Sequence, residues 1–177
     1  MNSSDILNFW FEEIAPKQHW IKNPEFDQLI TDRFLDLHTQ ASISELYLWR
    51  KTPEGRLAEI IILDQFSRNI YRDTPHAFAQ DPLALALAQE AVQSGDDKKL
   101  NPKWVSFLYM PYMHSESKII HKEALRLFSQ PGMDPDFEIR HKKIIDRFNR
   151  YPHRNDILLR PSTKEEIEFL KEKDSSF

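Results

Sequence analysis

Glycine is rare in this chain, with three residues among 177. A fold built from many short strands needs glycine at the left-handed positions of its tight turns. Phosphate-binding loops need several glycines close together. The sequence therefore argues against an all-β fold and against a glycine-rich phosphate loop, and the periodic apolar patterns along the chain indicate helices.

These apolar patterns begin at residues that commonly start helices. Pro24, Pro53 and the pair Asp81-Pro82 each open a stretch with helical spacing, and proline is tolerated in the first turn of a helix. Consecutive helices with short connections favour antiparallel neighbours. We therefore predict a single all-α domain over residues 1–177, arranged as an antiparallel helical bundle or as stacked helix pairs.

The composition limits which binding partners and which cellular compartment we expect for this protein. The net charge of −4 provides no general basic surface, so we expect no binding of nucleic acid. The absence of cysteine excludes disulfides, thiolate metal sites and cysteine nucleophiles, and it fits a reducing compartment. The N-terminal region lacks the basic start of a secretory signal, and no apolar run approaches the roughly 20 residues that span a bilayer. We expect a soluble cytoplasmic protein that does not contact membranes.

The pattern from Thr52 to about Tyr71 predicts a long central helix that is apolar on nearly all sides and is therefore buried. Asp64 falls within it, and a buried carboxylate needs a partner. Arg68 lies one turn further on, and Arg72 extends the same row. Two interpretations remain open. The residues form a structural ion pair that fixes helix packing, or the arginines bind a planar carboxylate or phosphate while Asp64 orients them.

The segment Met113-His114-Ser115-Glu116 falls at a predicted break between two helices. With Ser115 as the cap of the second helix, His114 and Glu116 would lie near the positive end of a helix dipole. The neutral form of a histidine is favoured there, which suits a general base or a ligand-binding group. The alternative is a helix cap whose histidine bonds a backbone carbonyl.

A polar turn follows a later helical pattern, where Pro152 forces the chain out of the helix. His153, Arg154 and Asn155 lie in this turn, and Arg150 precedes it, so the segment is a candidate anion site. The alternative is a basic helix C-terminus whose charges interact favourably with the negative end of the helix dipole. This explains Arg150 well but explains His153 and Asn155 less well.

Two further histidines, His121 and His141, lie on apolar stripes and are expected to be core residues rather than catalytic groups. Glu138 and His141 have the Glu-x-x-His spacing of di-iron bundles, but such bundles need two copies of it. The zinc-protease motif His-Glu-x-x-His is absent. We therefore expect no metal site and no cofactor.

Five ordered motifs resemble those of an uncharacterised family of bacterial and fungal proteins classed as a domain of unknown function. They are Phe9-Trp10-Phe11, LDQFSRNIYR (63–72), AFAQDPLALALA (77–88), FLYMPYMHSE (107–116) and RFNRYPHRN (147–155). The resemblance covers nearly the whole chain, and it implies an all-helical fold similar to tetratricopeptide-repeat arrangements but implies no activity. The family usually carries a proline where this chain has Ser67 and a glycine where it has Asn149. Ser67 should straighten the central helix, and Asn149 can adopt the left-handed conformation almost as glycine does.

The first hypothesis for function is a polar pocket for a small anion, either a carboxylate or a phosphate. Its expected ligand-binding residues are Arg68, Arg72, His153, Arg154 and Asn155. The same site would support acid–base chemistry if it is an enzyme. The expected acid–base residues are His114, Glu116 and Asp64, with His153 as an alternative to His114.

The second hypothesis is a protein-interaction scaffold in which a concave helical surface receives a peptide or a protein partner. A homodimer through such a surface also remains open. The four tryptophans, Trp10, Trp20, Trp49 and Trp104, are expected to be core residues. If they and the twelve phenylalanines all proved buried, this hypothesis would lose its main support.

Overall fold

The computed structural model describes residues 1–173 and 175, and this part of the chain contains helices and no strand. The α-helices are α1 (Ser3–Asn8), α2 (Pro24–Ser42), α3 (Pro53–Ile61), α4 (Ser67–Ile70), α5 (Asp81–Gln93), α6 (Val105–Met113), α7 (Lys118–Phe128), α8 (Asp136–Phe148) and α9 (Lys164–Phe169). The predicted all-α fold is confirmed. The finer likeness to tetratricopeptide-repeat arrangements stays a prediction.

Proline and polar side chains define the helix starts. Helix α2 begins at Pro24, as predicted, and the Asn23 side chain accepts hydrogen bonds from the first turn. The prediction that Ser115 caps α7 is wrong. Ser117 caps that helix by accepting from the N–H of Ile120, because the chain becomes helical two residues later than expected.

The central helix has the predicted extent but is not a regular α-helix. Between α3 and α4 the residues Ile62–Phe66 form a π turn, and all of them are buried. Such a turn inserts one extra residue and rotates the side chains that follow it. Ser67 begins α4, and its hydroxyl donates to the carbonyl of Leu63 at 2.6 Å. It also contacts Nε2 of His38 at 2.7 Å, which joins this helix to α2.

The described residues divide into two compact units. Of the described residues, the first unit comprises 1–72 and 76–111, and the second comprises 73–75, 112–173 and 175. This division into units does not test the prediction of a single domain, which stays a prediction. Within the described part of the chain, no helix is both long enough and apolar enough to cross a bilayer. The cytoplasmic location also stays a prediction.

In the first unit, α2 packs against the central helix, and α1 and α5 pack against α3. Aromatic rings fill the space between them. The ring centroids of Phe9 and Phe34 are 4.8 Å apart, and those of Phe34 and Phe66 are 4.9 Å apart. These distances are typical of favourable aromatic contacts. The core of this unit therefore lies where the N-terminal segment, α2 and the π turn meet.

The first unit also carries an exposed tryptophan where the sequence predicts a core residue. Trp10 is buried as expected, but 64% of the surface of Trp20 is exposed. The expected burial of Trp20 is therefore wrong, because residues 20–23 connect a 3-10 helix to α2 without a helical face to bury. The condition that would have removed support from the scaffold hypothesis is not met.

In the second unit, α7 packs against α8. Ile144 and Ile145 of α8 form a buried cluster with Tyr151 and Phe169. Helix α8 ends at Phe148, and the next residue, Asn149, caps it in the left-handed conformation with φ 58°. This confirms the expectation for Asn149, and it turns the chain so that residues 150–155 follow directly beside the cluster.

Gly55 in α3 lies against the backbone of the preceding 3-10 helix, Tyr47–Lys51. A Cβ atom at this position would lie 2.0 Å from the carbonyl oxygen of Trp49. We expect Gly55→Ala to lower the free energy of unfolding by about 3 kcal/mol, because a backbone atom must move to admit the methyl group. Urea denaturation followed by circular dichroism measures the change.

The matched control is Gly95→Ala. Gly95 has φ +73°, and no neighbouring atom lies within 4 Å of the position that its methyl group would take. Only the left-handed conformation opposes this substitution, at a cost of about 1 kcal/mol. Equal losses in the two variants would contradict the steric explanation for Gly55.

Candidate functional site

Asp64 lies on the π turn of the first unit and is fully buried. Its Oδ2 accepts a hydrogen bond from Gln65 Nε2 at 2.6 Å. Nη1 of Arg68 lies 3.4 Å from Asp64 Oδ1 and donates to the carbonyl oxygen of Asp64 at 2.6 Å. Arg68 is therefore a partner of Asp64, as its spacing in the sequence predicts.

A second carboxylate also binds Arg68. Nη1 and Nη2 of Arg68 donate to the two carboxylate oxygens of Asp81 at 3.0 and 3.2 Å. Asp81 is the first residue of α5, so the guanidinium connects the central helix to α5. Two-point contacts of this kind fix orientation as well as distance.

Arg72 has the same type of partner on α2. Its Nη2 donates to Oδ1 of Asp27 at 2.7 Å, and its Nε contacts the other oxygen. Asn69 Nδ2 also donates to Asp27 Oδ1, at 2.8 Å. A carboxylate or phosphate ligand would have to displace Asp27 and Asp81 to bind these arginines. The geometry therefore favours the structural ion pairs over the predicted anion site for Arg68 and Arg72.

In the second unit, the two predicted segments around His114 and His153 come together. The hydroxyl of Tyr151 donates to the carbonyl of Met113 at 2.5 Å, and its backbone N–H donates to Glu116 Oε1 at 2.7 Å. Nη2 of Arg154 donates to the carbonyl of His114 at 3.1 Å. Segments about 35 to 40 residues apart in sequence thus share one site.

Glu116 is held by Arg160, a residue that no sequence motif indicates. Nη1 and Nη2 of Arg160 donate to the two Glu116 oxygens at 2.6 and 2.9 Å. Burial alone would raise the pKa of Glu116, but the hydrogen bonds from Arg160 and Tyr151 outweigh it and lower the pKa. Arg160 Nε also donates to the buried side chain of Asn155. Through their contacts with Arg160, Glu116 and Asn155 therefore stabilise the segment that carries His153.

His121 and Glu138 form a fully buried pair between α7 and α8, with 2.8 Å between Nδ1 and Oε1. The other ring nitrogen, Nε2, lies 2.8 Å from the carbonyl of Ser115 and 3.2 Å from the hydroxyl of Tyr151. A carbonyl can only accept, so Nε2 carries a proton. The Nδ1–Oε1 contact then holds one further proton between a carboxylate and an imidazole.

This pair has no ring nitrogen available to a substrate, because both nitrogens of His121 are engaged. Burial raises the pKa of Glu138, and the hydrogen bond from His121 opposes that effect. The arrangement resembles the carboxylate–histidine pair of a catalytic triad. Here, however, Nε2 of His121 donates to a backbone carbonyl, whereas the histidine of a triad contacts the nucleophile. The expectation that His121 is a core histidine agrees with this geometry.

His141 is also buried, and its Nδ1 donates to the carbonyl of Phe137 at 2.7 Å. Burial lowers its pKa to about 3, and the charges of His114, His121 and His153 contribute to the shift. His114, His121 and His153 therefore lie within electrostatic range of His141. We call His114, His121, His141 and His153 the histidine cluster.

Tyr151 lies at the centre of this cluster and is almost completely buried. Its ring centroid is 5.8 Å from that of His141 and 5.5 Å from that of His153. The guanidinium carbon of Arg154 lies 4.7 Å from the same centroid, which is a cation–π distance. His114 and His153 are the half-buried members of the cluster, whereas His121 and His141 are buried.

Metal ligation is a separate question for this cluster, since imidazole is a common metal ligand. Among the residues that the structure describes, no group of three or more histidine, aspartate or glutamate side chains has an arrangement that could hold a metal ion.

The depressed pKa of His141 predicts a pH dependence of stability. The unfolded chain binds a proton at this residue below about pH 6.5, while the folded chain does not until about pH 3. Stability is therefore lost as the pH falls through this window. Between pH 7 and pH 5, His141 should account for a loss of about 2 kcal/mol. Urea denaturation of the protein and of His141→Gln at both pH values measures this difference.

The control for that experiment is His76→Gln, which changes an exposed histidine of the first unit and keeps His141. It should retain the pH dependence of the unsubstituted protein, whereas His141→Gln should show a shallower one. The same loss of stability in all three proteins would exclude His141 as the source.

Comparison with known proteins gives two matches. The model of the family described as "Bacterial protein of unknown function (DUF924)" matches residues 6–174. The solved structure of a protein of unknown function from Agrobacterium tumefaciens is 37% identical in sequence, covers 97% of each chain and superposes with a TM-score of 0.89. The search of curated proteins returned no match.

Proposed function

The chain belongs to this family of bacterial proteins of unknown function (DUF924), and we propose that its second unit binds a small carboxylate or phosphate at the accessible edge of the histidine cluster. One observation carries the proposal. Tyr151 contacts both His153 and Arg154 with its ring, and its hydroxyl holds the carbonyl next to His114. Cationic and hydrogen-bonding groups from two distant segments are thereby assembled on one rigid support.

The charges around this support favour an anion. The neighbouring carboxylates are engaged, because Glu116 is bound by Arg160 and Glu138 is bound by His121. Arg154 is buried and its Nη2 donates to the carbonyl of His114, so it brings the positive charge of a planar guanidinium to this edge. His114 and His153 add imidazole N–H donors whose charge depends on pH. The edge therefore offers donors and positive charge.

Any acid–base step at this site would belong to His114 or His153. Glu116 has a lowered pKa and is fixed by Arg160, so it is a poor proton donor near neutral pH. Asp64 belongs to the first unit, where Gln65 and Arg68 hold it. His114 and His153 are half-buried imidazoles, and histidine is the side chain that general acid–base catalysis uses most often. The geometry thus favours the histidines over the two carboxylates that the sequence also suggested.

Sulfate tests the binding site, because its charge does not change between pH 6 and pH 8. We expect the ring C–H signals of His114 and His153 to shift in NMR spectra as sulfate is added, while the signal of His76 does not. Affinity should be higher at pH 6 than at pH 8, because an imidazolium attracts the anion more strongly than a neutral imidazole. Acetate and inorganic phosphate then distinguish the two ligand classes.

Two variants complete this test. Arg154→Lys keeps the charge but removes the planar fork, and the double substitution His114→Gln with His153→Gln removes both accessible imidazoles. We expect each to weaken binding at least tenfold, which corresponds to about 1.4 kcal/mol. The control His76→Gln should bind as the unsubstituted protein does. Unshifted His114 and His153 signals in the folded protein would overturn the proposal.

A further inference from the structure

Three successive backbone carbonyls at the junction of α6 and α7 are each bound by a side chain of the second unit. In chain order, the carbonyls of residues 113–115 accept from the Tyr151 hydroxyl, Nη2 of Arg154 and Nε2 of His121, at 2.5, 3.1 and 2.8 Å. We call residues 114–117 the connecting segment. Backbone groups outside a helix need other partners, so the conformation of this segment depends on these side chains.

Two separate contacts require a proton on Nε2 of His121. The carbonyl of Ser115 can only accept a hydrogen bond. The hydroxyl of Tyr151 lies 3.2 Å from the same nitrogen, but its own proton is donated to the carbonyl of Met113. The hydroxyl oxygen can therefore only accept from His121. Both contacts thus need the N–H at Nε2, which leaves Nδ1 to the partner on α8.

That partner is Glu138, and its surroundings favour the protonated acid. Its Oε1 lies 2.8 Å from Nδ1 of His121, and the side chain is fully buried. No donor among the described residues reaches its Oε2. Burial raises the pKa of Glu138. An ionised carboxylate in the interior needs several donors, so this environment favours an acid that donates its proton to Nδ1 of a neutral imidazole.

The charged side chains of α8 near this pair act on it in opposite directions. Lys142 lowers the pKa of Glu138 and Asp146 raises it, and both effects are smaller than that of burial. Lys142 and Asp146 also bind each other at 2.5 Å. His141, the other buried histidine of the cluster, has a pKa lowered to about 3 by burial and is neutral at pH 7. The environment of Glu138 is therefore determined mainly by burial and by His121.

We propose that His121 and Glu138 are positioning residues for the anion site of the second unit, an inference that rests on the function proposed above. Glu138 fixes the ring of His121 with its proton on Nε2, and this N–H fixes the carbonyl of Ser115. Both side chains are fully buried, so they act on a ligand only through the connecting segment. With the opposite tautomer, the lone pair of Nε2 would face the lone pairs of that carbonyl and would release the segment from α7.

His114 depends on this anchor because it belongs to the connecting segment and is one of the expected anion donors. A hydrogen bond weakens steeply when its donor is misdirected. Arg154 and Tyr151 hold the carbonyls of residues 114 and 113, and His121 holds the next one. Loss of the His121 anchor should therefore leave His114 on a looser support and should weaken anion binding without removing any group that touches the anion.

Two substitutions of Glu138 separate positioning from packing. Glu138→Gln supplies an amide N–H to Nδ1 of His121 and keeps the proton on Nε2, whereas Glu138→Leu supplies no donor. At pH 7 we expect the glutamine variant to bind sulfate with an affinity within about twofold of the unsubstituted protein. The leucine variant should bind about tenfold more weakly, because a misplaced donor loses most of its contribution.

Glu59→Leu is the matched control, since Glu59 is an equally buried carboxyl in the first unit. It should bind sulfate as the unsubstituted protein does. Equal weakening by Glu59→Leu and Glu138→Leu would attribute the effect to general destabilisation and would overturn the inference.

NMR spectra of the ¹⁵N-labelled protein give a reading that a general loss of packing would not move. Correlations of the ring nitrogens should show a protonated Nε2 and an accepting Nδ1 for His121 at pH 7, both in the unsubstituted protein and in Glu138→Gln. The amide hydrogens of residues 114–117 should exchange faster in Glu138→Leu than in either of these proteins. If Glu138→Leu does not fold, the ring correlations and the sulfate affinity of Glu138→Gln decide the question.

The outcomes distinguish this inference from the proposed function. If sulfate binds the unsubstituted protein and Glu138→Leu equally well, the inference is overturned and the anion site stands. An unprotonated Nε2 of His121, or a glutamine variant that binds as weakly as the leucine variant, would also overturn it. Sulfate that does not bind the unsubstituted protein would overturn the proposed function and, with it, the role assigned to the pair.

Discussion

Five buried or partly buried carboxylates in the described part of this chain are stabilised by arginine side chains from other helices or turns that bind them at two points. Removing one partner would leave an uncompensated charge, which typically costs 3–5 kcal/mol when the pair is buried. Pairs of this kind include Arg50–Glu59, Arg68–Asp81, Arg72–Asp27, Arg150–Glu166 and Arg160–Glu116. These two-point contacts define how the helices are positioned along one another. Apolar packing alone is less specific about that position.

The histidine cluster differs from these pairs, since its support is a neutral aromatic ring. Tyr151 contacts His141, His153 and Arg154, while its hydroxyl and backbone bind the segment before α7. His121 and His141 are buried, and His114 and His153 are half-buried. The polar residues of the central helix in the first unit therefore have a structural role. The histidine cluster of the second unit is the candidate ligand site.

Local interactions made much of the architecture predictable. The helix starts at Pro24 and Pro53, the contact of Asp64 with Arg68 and the left-handed Asn149 all depend on residues within about one turn of each other. The partners of Arg72 and Glu116 lie 45 and 44 residues away along the chain. Nothing in the spacing of the sequence connects such residues, so the sequence does not indicate Asp27 and Arg160 as partners.

The sequence by itself determined the all-α fold, because helical hydrogen bonds, caps and proline effects are local. It also determined which segments carry the polar residues. Only the tertiary structure decided which of those residues are buried and which are partly exposed. His121 and His153 are both histidines beside apolar residues, yet packing commits both nitrogens of one and leaves the other half-buried. Likewise, the exposure of Trp20 depends on which surfaces the neighbouring helices cover, a property of their packing that no local pattern contains.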